Sequence, residues 1–127
     1  MMTAVTALTI LVTIFFAGMG LLALVRPEQI SGTFGTPSLT ADGRNEVRAV
    51  YGGFGVAIAV LLATAPLMPA LGRGIYVAVA IALVGMAGGR LVAAMVERPR
   101  RFYPCWCYCA LEAAMAAILL AASVTFF

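Results

Sequence analysis

Four long apolar runs dominate the sequence, and short segments that hold the prolines and most of the charges separate them. Each run approaches the roughly 20 residues that an α-helix needs to cross the hydrocarbon core of a bilayer. The pattern predicts an all-α, polytopic membrane protein. It is expected to be one domain over residues 1–127, a four-transmembrane-helix bundle with both termini on the same side. The predicted helices lie at about 3–25, 45–65, 74–96 and 105–127.

The breaks between the runs carry helix-end signals. Arg26-Pro27 ends the first helix, because proline disfavours helical geometry at the residue before it. Thr40 or Asp42 can cap the second helix, and Pro66 ends it. The first run carries no charge and therefore lacks the basic segment that begins a signal peptide, so we expect a retained helix.

The third and fourth runs are too short to span a membrane unless each extends past a charged residue. Only sixteen residues separate Arg73 from Arg90, and only fifteen follow Glu112. A span of about 17–25 residues therefore takes Arg90 and Glu112 into the membrane. At 1.5 Å per residue both lie roughly 9–10 Å from the same membrane face. The two side chains are expected to lie level with each other.

Composition narrows the class of protein further. Hydrophobic residues make up 64% of the chain and charged residues only 10%, with a mean hydropathy of +1.08. Soluble domains carry about 25% charged residues. The fraction of charged residues in this chain is so much lower that it indicates a membrane protein and not a soluble domain. The net charge of +3 comes from arginine alone, because the chain has no lysine. It also has no histidine, which excludes histidine-based catalysis and imidazole ligation of haem or zinc.

The arginines lie mainly beside one set of connections, which predicts the orientation. Arg73 alone belongs to the opposite side. The positive-inside rule therefore places loops 26–44 and 97–104 in the cytoplasm and both termini in the periplasm, for a protein of the cell inner membrane. Arginines beside apolar spans indicate membrane lipids as partners and not nucleic acid. The arginines on the predicted cytoplasmic side are Arg26, Arg44, Arg48, Arg90, Arg98, Arg100 and Arg101.

Charged residues near the predicted cytoplasmic end form the main candidate site. A charge on a membrane helix costs at least about 2.5–3.5 kcal/mol, so such residues are expected to face the bundle and pair. One interpretation is an ion-pair latch that stabilises helix packing. The other is a polar pocket that binds an anionic or amphipathic ligand. The predicted ligand-binding or ion-pair cluster comprises Asn45, Glu46, Arg48, Tyr51, Arg90 and Glu112.

The segment 44–53, with the sequence RNEVRAVYGG, also carries a family resemblance. It resembles a family of small bacterial four-helix integral membrane proteins of unknown function, marked by an N-E-x-R-A-x-Y-G-G motif at the start of the second helix. The resemblance extends over most of the chain and implies the fold, but no established activity. The residues that match the motif are Asn45, Glu46, Arg48, Tyr51, Gly52 and Gly53.

Small residues are expected to mediate helix packing. Lipid tails are as apolar as leucine, so close backbone approach at small side chains holds membrane helices together. Packing within the chain is favoured over a homodimer motif. The predicted helix-packing glycines are Gly52, Gly53, Gly85 and Gly89.

The third connection and the start of the fourth helix are rich in aromatic, thiol and basic side chains. Soft thiolates suit Cu(I) or zinc, which makes Cys105, Cys107 and Cys109 weak metal candidates. Their spacing matches no zinc motif, so an interfacial aromatic belt is favoured, and neither a metal nor a cofactor is predicted. The basic residues expected to contact lipid headgroups are Arg98, Arg100 and Arg101.

Three functions fit these observations. The favoured one is binding of a lipid, or of a hydrophobic or amphipathic small molecule, within the membrane. A variant of this hypothesis is that the protein also transports the bound molecule. The second is an accessory subunit of a larger membrane complex, or a homo-oligomer. The third is an acid/base enzyme acting on a hydrophobic substrate, with Glu46 or Glu112 as the catalytic acid. A carboxylate paired with arginine stays ionised and is a poor general acid, which counts against the enzyme.

Overall fold

The computed structural model describes residues 1–127, and all of its regular secondary structure is helical. Four of its five helices are long and apolar enough to cross a membrane, which confirms the predicted all-α class and indicates a multi-pass membrane protein. A fifth, short helix lies between the first two long ones. In chain order the helices are α1 Met2–Val25, α2 Pro27–Thr33, α3 Ala41–Leu67, α4 Gly72–Val96 and α5 Phe102–Thr125.

The observed helix ends differ from the predicted ones by a few residues. Helix α3 begins at Ala41, because the Thr40 hydroxyl accepts a hydrogen bond from the Gly43 amide at 3.1 Å and caps the first turn. Helix α5 ends at Thr125, and the last two residues lie beyond it. The chain divides into two compact units. The N-terminal unit is Ile10–Ala63, and the C-terminal unit is Met1–Thr9 together with Thr64–Phe127.

In the N-terminal unit, helices α1 and α3 approach each other at glycines. A Cβ atom on Gly20 would lie 2.6 Å from the Val56 amide nitrogen, and one on Gly55 would lie 3.0 Å from the Gly20 Cα. A Cβ on Gly52 would lie 2.8 Å from the Leu24 side chain. The two backbones therefore pack directly at Gly20 and Gly55, and the Leu24 side chain fills the space beside Gly52, as small residues allow in membrane helices.

Helix α3 changes its hydrogen-bond pattern within the segment 44–53. It is α-helical over Ala41–Val47, π-helical over Arg48–Gly53 and α-helical again over Phe54–Thr64. A π-helical turn holds more residues than an α-helical one, so it changes which side chains share a face. Such turns are frequent at functional sites.

In the C-terminal unit, helices α4 and α5 pack along their length around large buried side chains. Tyr76 is fully buried, and its ring centre lies 6.1 Å from that of Phe126 and 6.0 Å from that of Phe127. Its hydroxyl is buried and has no hydrogen-bond partner. Leu83 and Leu119 continue the buried core between the same two helices.

The predicted packing glycines have different surroundings. Gly52 is buried against Leu24, whereas a Cβ on Gly53 would meet only the Arg48 carbonyl oxygen, at an ordinary 3.9 Å. Gly85 and Gly89 lie on an exposed face of α4, and within their unit no atom lies within 4 Å of a Cβ built on either residue. Within the two units, close helix approach therefore occurs at Gly52 and not at these two glycines of α4.

Candidate functional site

A buried ion pair joins the two helices of the C-terminal unit. Arg90 on α4 donates from Nε to Glu112 Oε2 and from Nη2 to Glu112 Oε1, both at 2.8 Å. The Glu112 side chain is only 3% exposed and that of Arg90 is 24% exposed. The two parallel bonds form the planar, bidentate geometry that arginine makes with carboxylates. Both oxygens of the buried carboxylate therefore have a charged donor.

The surroundings of this pair favour a structural role. The Arg90 guanidinium carbon lies 5.6 Å from the centre of the Tyr108 ring, within the range of a cation–π contact. One turn away, the Cys109 thiol donates to the Ala87 carbonyl at 3.6 Å. The pair has no net charge, and both Glu112 carboxylate oxygens already accept hydrogen bonds from Arg90. It matches the ion-pair latch better than an open ligand pocket.

A second cluster of charges lies in the N-terminal unit, where α1 ends and α3 begins. A cleft of about 370 Å³ opens there, and we call it the arginine cleft. Three arginines and one glutamate supply all its charged groups, so its lining carries a net charge of +2 (three positive, one negative). It is lined by Val25, Arg26, Pro27, Glu28, Gln29, Arg44 and Arg48.

Local backbone chemistry explains how two of these arginines are positioned. The last carbonyls of a helix have no partner within the helix. Arg48 Nε donates to one of them, the Leu24 oxygen near the end of α1, at 2.9 Å. Arg44 Nη1 donates to the Leu39 carbonyl at 2.7 Å and lies 3.5 Å from Glu28 Oε1. Each arginine thus ties two segments of the unit together.

Much of the donor capacity in the arginine cleft remains unused. Each guanidinium offers five N–H donors in a rigid fork. Arg48 uses only its Nε, and the Arg26 side chain is exposed and makes no hydrogen bond. The remaining donors of Arg26 and Arg48 line one concave surface. Such a surface suits the oxygens of a phosphate or carboxylate.

A separate groove lies beside the π-helical segment in the same unit, and we call it the Glu46 groove. Its volume is about 340 Å³ and its surface is mostly apolar. Glu46 is the only ionisable acid or base in its lining apart from the Tyr51 phenol, and its side chain makes no hydrogen bond or ion pair with the protein. The groove is lined by Ile30, Ser31, Phe34, Thr36, Leu39, Gly43, Glu46, Val47 and Tyr51.

The six predicted cluster residues are therefore distributed over several surroundings. Within the N-terminal unit, Glu46 and Tyr51 line one groove, whereas Arg48 lines the arginine cleft. Asn45 is exposed. The other two residues form the ion pair of the C-terminal unit. The convergence of all four charges on one site stays a prediction.

Sequence reasoning missed the contribution of Arg26, Glu28 and Arg44 to a site, because it treated these arginines only as orientation signals. One signal was present: Arg44 and Arg48 are four residues apart, which places them on one face of a helix. The partner Glu28 lies sixteen residues from Arg44, and no local pattern connects the two.

The third connection forms no metal centre in the structure. Cys105, Cys107 and Cys109 are free, partly exposed thiols, and they do not converge as a ligand set. The predicted headgroup arginines are exposed, and their contact with lipid stays a prediction; they are Arg98, Arg100 and Arg101.

Comparison with known proteins gives a family and no activity. The chain belongs to the family described as Domain of unknown function (DUF4345), which matches residues 4–123. No match is found among the curated proteins or among the solved structures. A proposal about function therefore rests on the geometry of the sites.

Proposed function

We propose that this protein binds an anionic membrane lipid, with the phosphate or carboxylate of the headgroup in the arginine cleft. The observation that carries the proposal is the convergence of Arg26, Arg44 and Arg48 on one concave surface with a single carboxylate. Arginine forks match the planar or tetrahedral oxygens of such headgroups and stay charged at every physiological pH.

The position of the cleft along the helices supports a lipid headgroup as the ligand. The cleft lies where α1 ends and α3 begins, so it adjoins the ends of two apolar helices that are long enough to span a membrane. Headgroups lie at this level, just outside the hydrocarbon core. In the orientation favoured by the positive-inside rule, this end faces the cytoplasm, whose leaflet carries the anionic lipids of the membrane surface potential.

The ion pair between Glu28 and Arg44 leaves the cleft open to an anion. Its two side chains are 47% and 38% exposed, and the pair has one contact at 3.5 Å. Exposed pairs of this kind contribute about 0–1 kcal/mol, so a headgroup phosphate can compete with Glu28 for Arg44. Basic residues near an anionic surface each contribute about 1 kcal/mol, so the net charge of +2 in the cleft supplies about 2 kcal/mol.

The test is lipid retention measured by native mass spectrometry. The protein, released from the same mild detergent, is supplied with phosphatidylglycerol or phosphatidylcholine of identical chains. We expect preferential retention of phosphatidylglycerol, and loss of that preference in the triple variant Arg26→Gln, Arg44→Gln, Arg48→Gln. The control is Arg73→Gln, which removes one positive charge outside the cleft and is compared with the single variant Arg48→Gln.

Three results would contradict the proposal. The first is equal retention of the two lipids by the unchanged protein. The second is an unchanged preference in the triple variant of the arginine cleft. The third is an equal loss in Arg73→Gln and Arg48→Gln, which would show that net charge and not the cleft selects the lipid. A larger assembly in the same spectra, with no bound lipid, would favour the accessory-subunit alternative instead.

A further inference from the structure

We infer that the Glu46 groove is a second binding site, selective for a lipophilic cation such as an ammonium or phosphonium group carrying apolar substituents. The inference is independent of the arginine cleft, since the two surfaces share no lining residue. Its volume of about 340 Å³ lies within the range of small-molecule sites, about 300–1,000 Å³.

Charge complementarity identifies the sign of the ligand. Glu46 is the one charged side chain of the groove and has no cationic partner. The nearest arginines along the helix are engaged elsewhere: Arg44 contacts Glu28 and the Leu39 carbonyl, and Arg48 donates to the Leu24 carbonyl. A carboxylate in a mostly apolar groove attracts a cation and repels an anion of the same shape.

Two aromatic rings strengthen this preference. Phe34 and Tyr51 line the same groove as Glu46. The faces of aromatic rings attract cations, and quaternary ammonium groups are recognised in this way. Apolar side chains, among them Ile30 and Val47, supply the surface for the hydrophobic substituents of the ligand. The combination of one carboxylate, two rings and an apolar wall fits a lipophilic cation.

The π-helical turn explains why Glu46 and Tyr51 line the same groove. In a regular α-helix, residues five apart point about 140° away from each other, since each residue turns by about 100°. The segment Arg48–Gly53 is π-helical and holds more residues per turn, which reduces that angle. The motif that marks the family therefore has a geometric consequence at this groove.

The test measures binding of tetraphenylphosphonium to the purified protein in dodecyl maltoside by isothermal titration calorimetry. We expect Glu46→Gln to weaken binding by about tenfold or more, which corresponds to 1.4 kcal/mol or more. Glu97→Gln is the matched control, because Glu97 is an exposed acid directly after the C-terminal end of α4 and does not line the groove, so its replacement should leave binding unchanged. Tyr51→Phe keeps the ring and should retain binding, whereas Tyr51→Leu should weaken it.

Several outcomes would overturn the inference. One is unchanged binding of tetraphenylphosphonium by Glu46→Gln, with folding verified by the melting temperature. Another is an equal loss in Glu97→Gln. A third is binding of tetraphenylborate, titrated alone, as tight as that of tetraphenylphosphonium, which has the same shape and the opposite charge. The triple variant of the arginine cleft should keep its cation binding, and a loss there with Glu46→Gln unchanged would also overturn the assignment.

Discussion

The ion pair between Arg90 and Glu112 allows a quantitative test of the latch. Replacing Arg90 with glutamine leaves a carboxylate that is 3% exposed without its cation. Removing one partner of a buried pair costs about 3–5 kcal/mol in soluble proteins. Neutral polar contacts within membranes are smaller, at most about 1.7 kcal/mol, because the reference state also finds partners. Arg90 and Glu112 are joined by two charge-assisted hydrogen bonds at 2.8 Å, whose contribution should lie between these values. We therefore expect Arg90→Gln to lower the free energy of unfolding by about 3 kcal/mol.

The double-mutant cycle separates the pair from its surroundings. Glu112→Gln should cost about 2 kcal/mol, less than Arg90→Gln, because Arg90 is 24% exposed and keeps its contact with Tyr108. The double variant removes both charges and should lower the free energy of unfolding by about 3 kcal/mol. The two single variants together would lower it by about 5 kcal/mol, so the coupling energy is about 2 kcal/mol. Arg90→Lys should cost about 1–2 kcal/mol, because an ammonium cannot form the bidentate fork.

The assay is reversible unfolding by dodecyl sulfate in mixed micelles, followed through the fluorescence of the single tryptophan, Trp106. The exposed pair Glu28 and Arg44 provides the matched control, since it has one contact at 3.5 Å and should show a coupling of about 0–1 kcal/mol. Additivity of Arg90→Gln and Glu112→Gln within about 0.5 kcal/mol would refute the latch. Equal coupling in the two pairs would refute the role of burial.

Two further predictions concern packing, with the free energy of unfolding in the same assay as the measurement. Gly52→Ala should destabilise the protein by about 1–3 kcal/mol, because its Cβ would lie 2.8 Å from Leu24. Gly53→Ala should be neutral or slightly stabilising, since its Cβ has room and alanine favours helices. Tyr76→Phe should be neutral or stabilising by about 1 kcal/mol, because it removes a buried hydroxyl that has no partner.

The outcomes that would contradict these two predictions differ. Equal effects of Gly52→Ala and Gly53→Ala would show that the approach of α1 and α3 does not depend on the missing side chain. Destabilisation by Tyr76→Phe would show that the hydroxyl has a stabilising partner. Tyr76→Leu is the control for the ring, and it should destabilise by loss of the contacts with Phe126 and Phe127.

Residue counting predicted the depth of two charges without any tertiary information. The short distance from Arg73 to Arg90 and the short stretch after Glu112 required both residues to lie inside helices. A short loop joins α4 to α5, and the two helices run antiparallel. Residues at equal distances from that loop therefore lie level with each other. The direct ion pair at 2.8 Å has this geometry.

The same kind of counting could not predict the arginine cleft. Its contacts join Arg48 to Leu24 and Arg44 to Glu28, across 24 and 16 residues of the chain. An arginine of α3 can reach an unpaired carbonyl at the end of α1 only where the two helices lie close together. Their close approach requires that Gly20 and Gly55 face each other. Helical periodicity identifies the residues on a face, but it does not identify the face of another helix that they contact.

Composition and the spacing of apolar runs were enough to predict the class of protein: four helices long and apolar enough to span a membrane, in an all-α chain. The physical reason is that a bilayer imposes one length and requires each backbone polar group to be satisfied within the helix, so composition and spacing suffice. The distribution of the side chains of segment 44–53 between two surfaces became visible only in the packed structure. The π-helical turn at Arg48–Gly53 is accompanied by tight packing of Gly52 on Leu24, and Glu46 and Tyr51 line one groove while Arg48 lines another cleft. The packing of Gly52 on Leu24 joins residues that are distant in the chain, and no local pattern in the sequence contains such a contact.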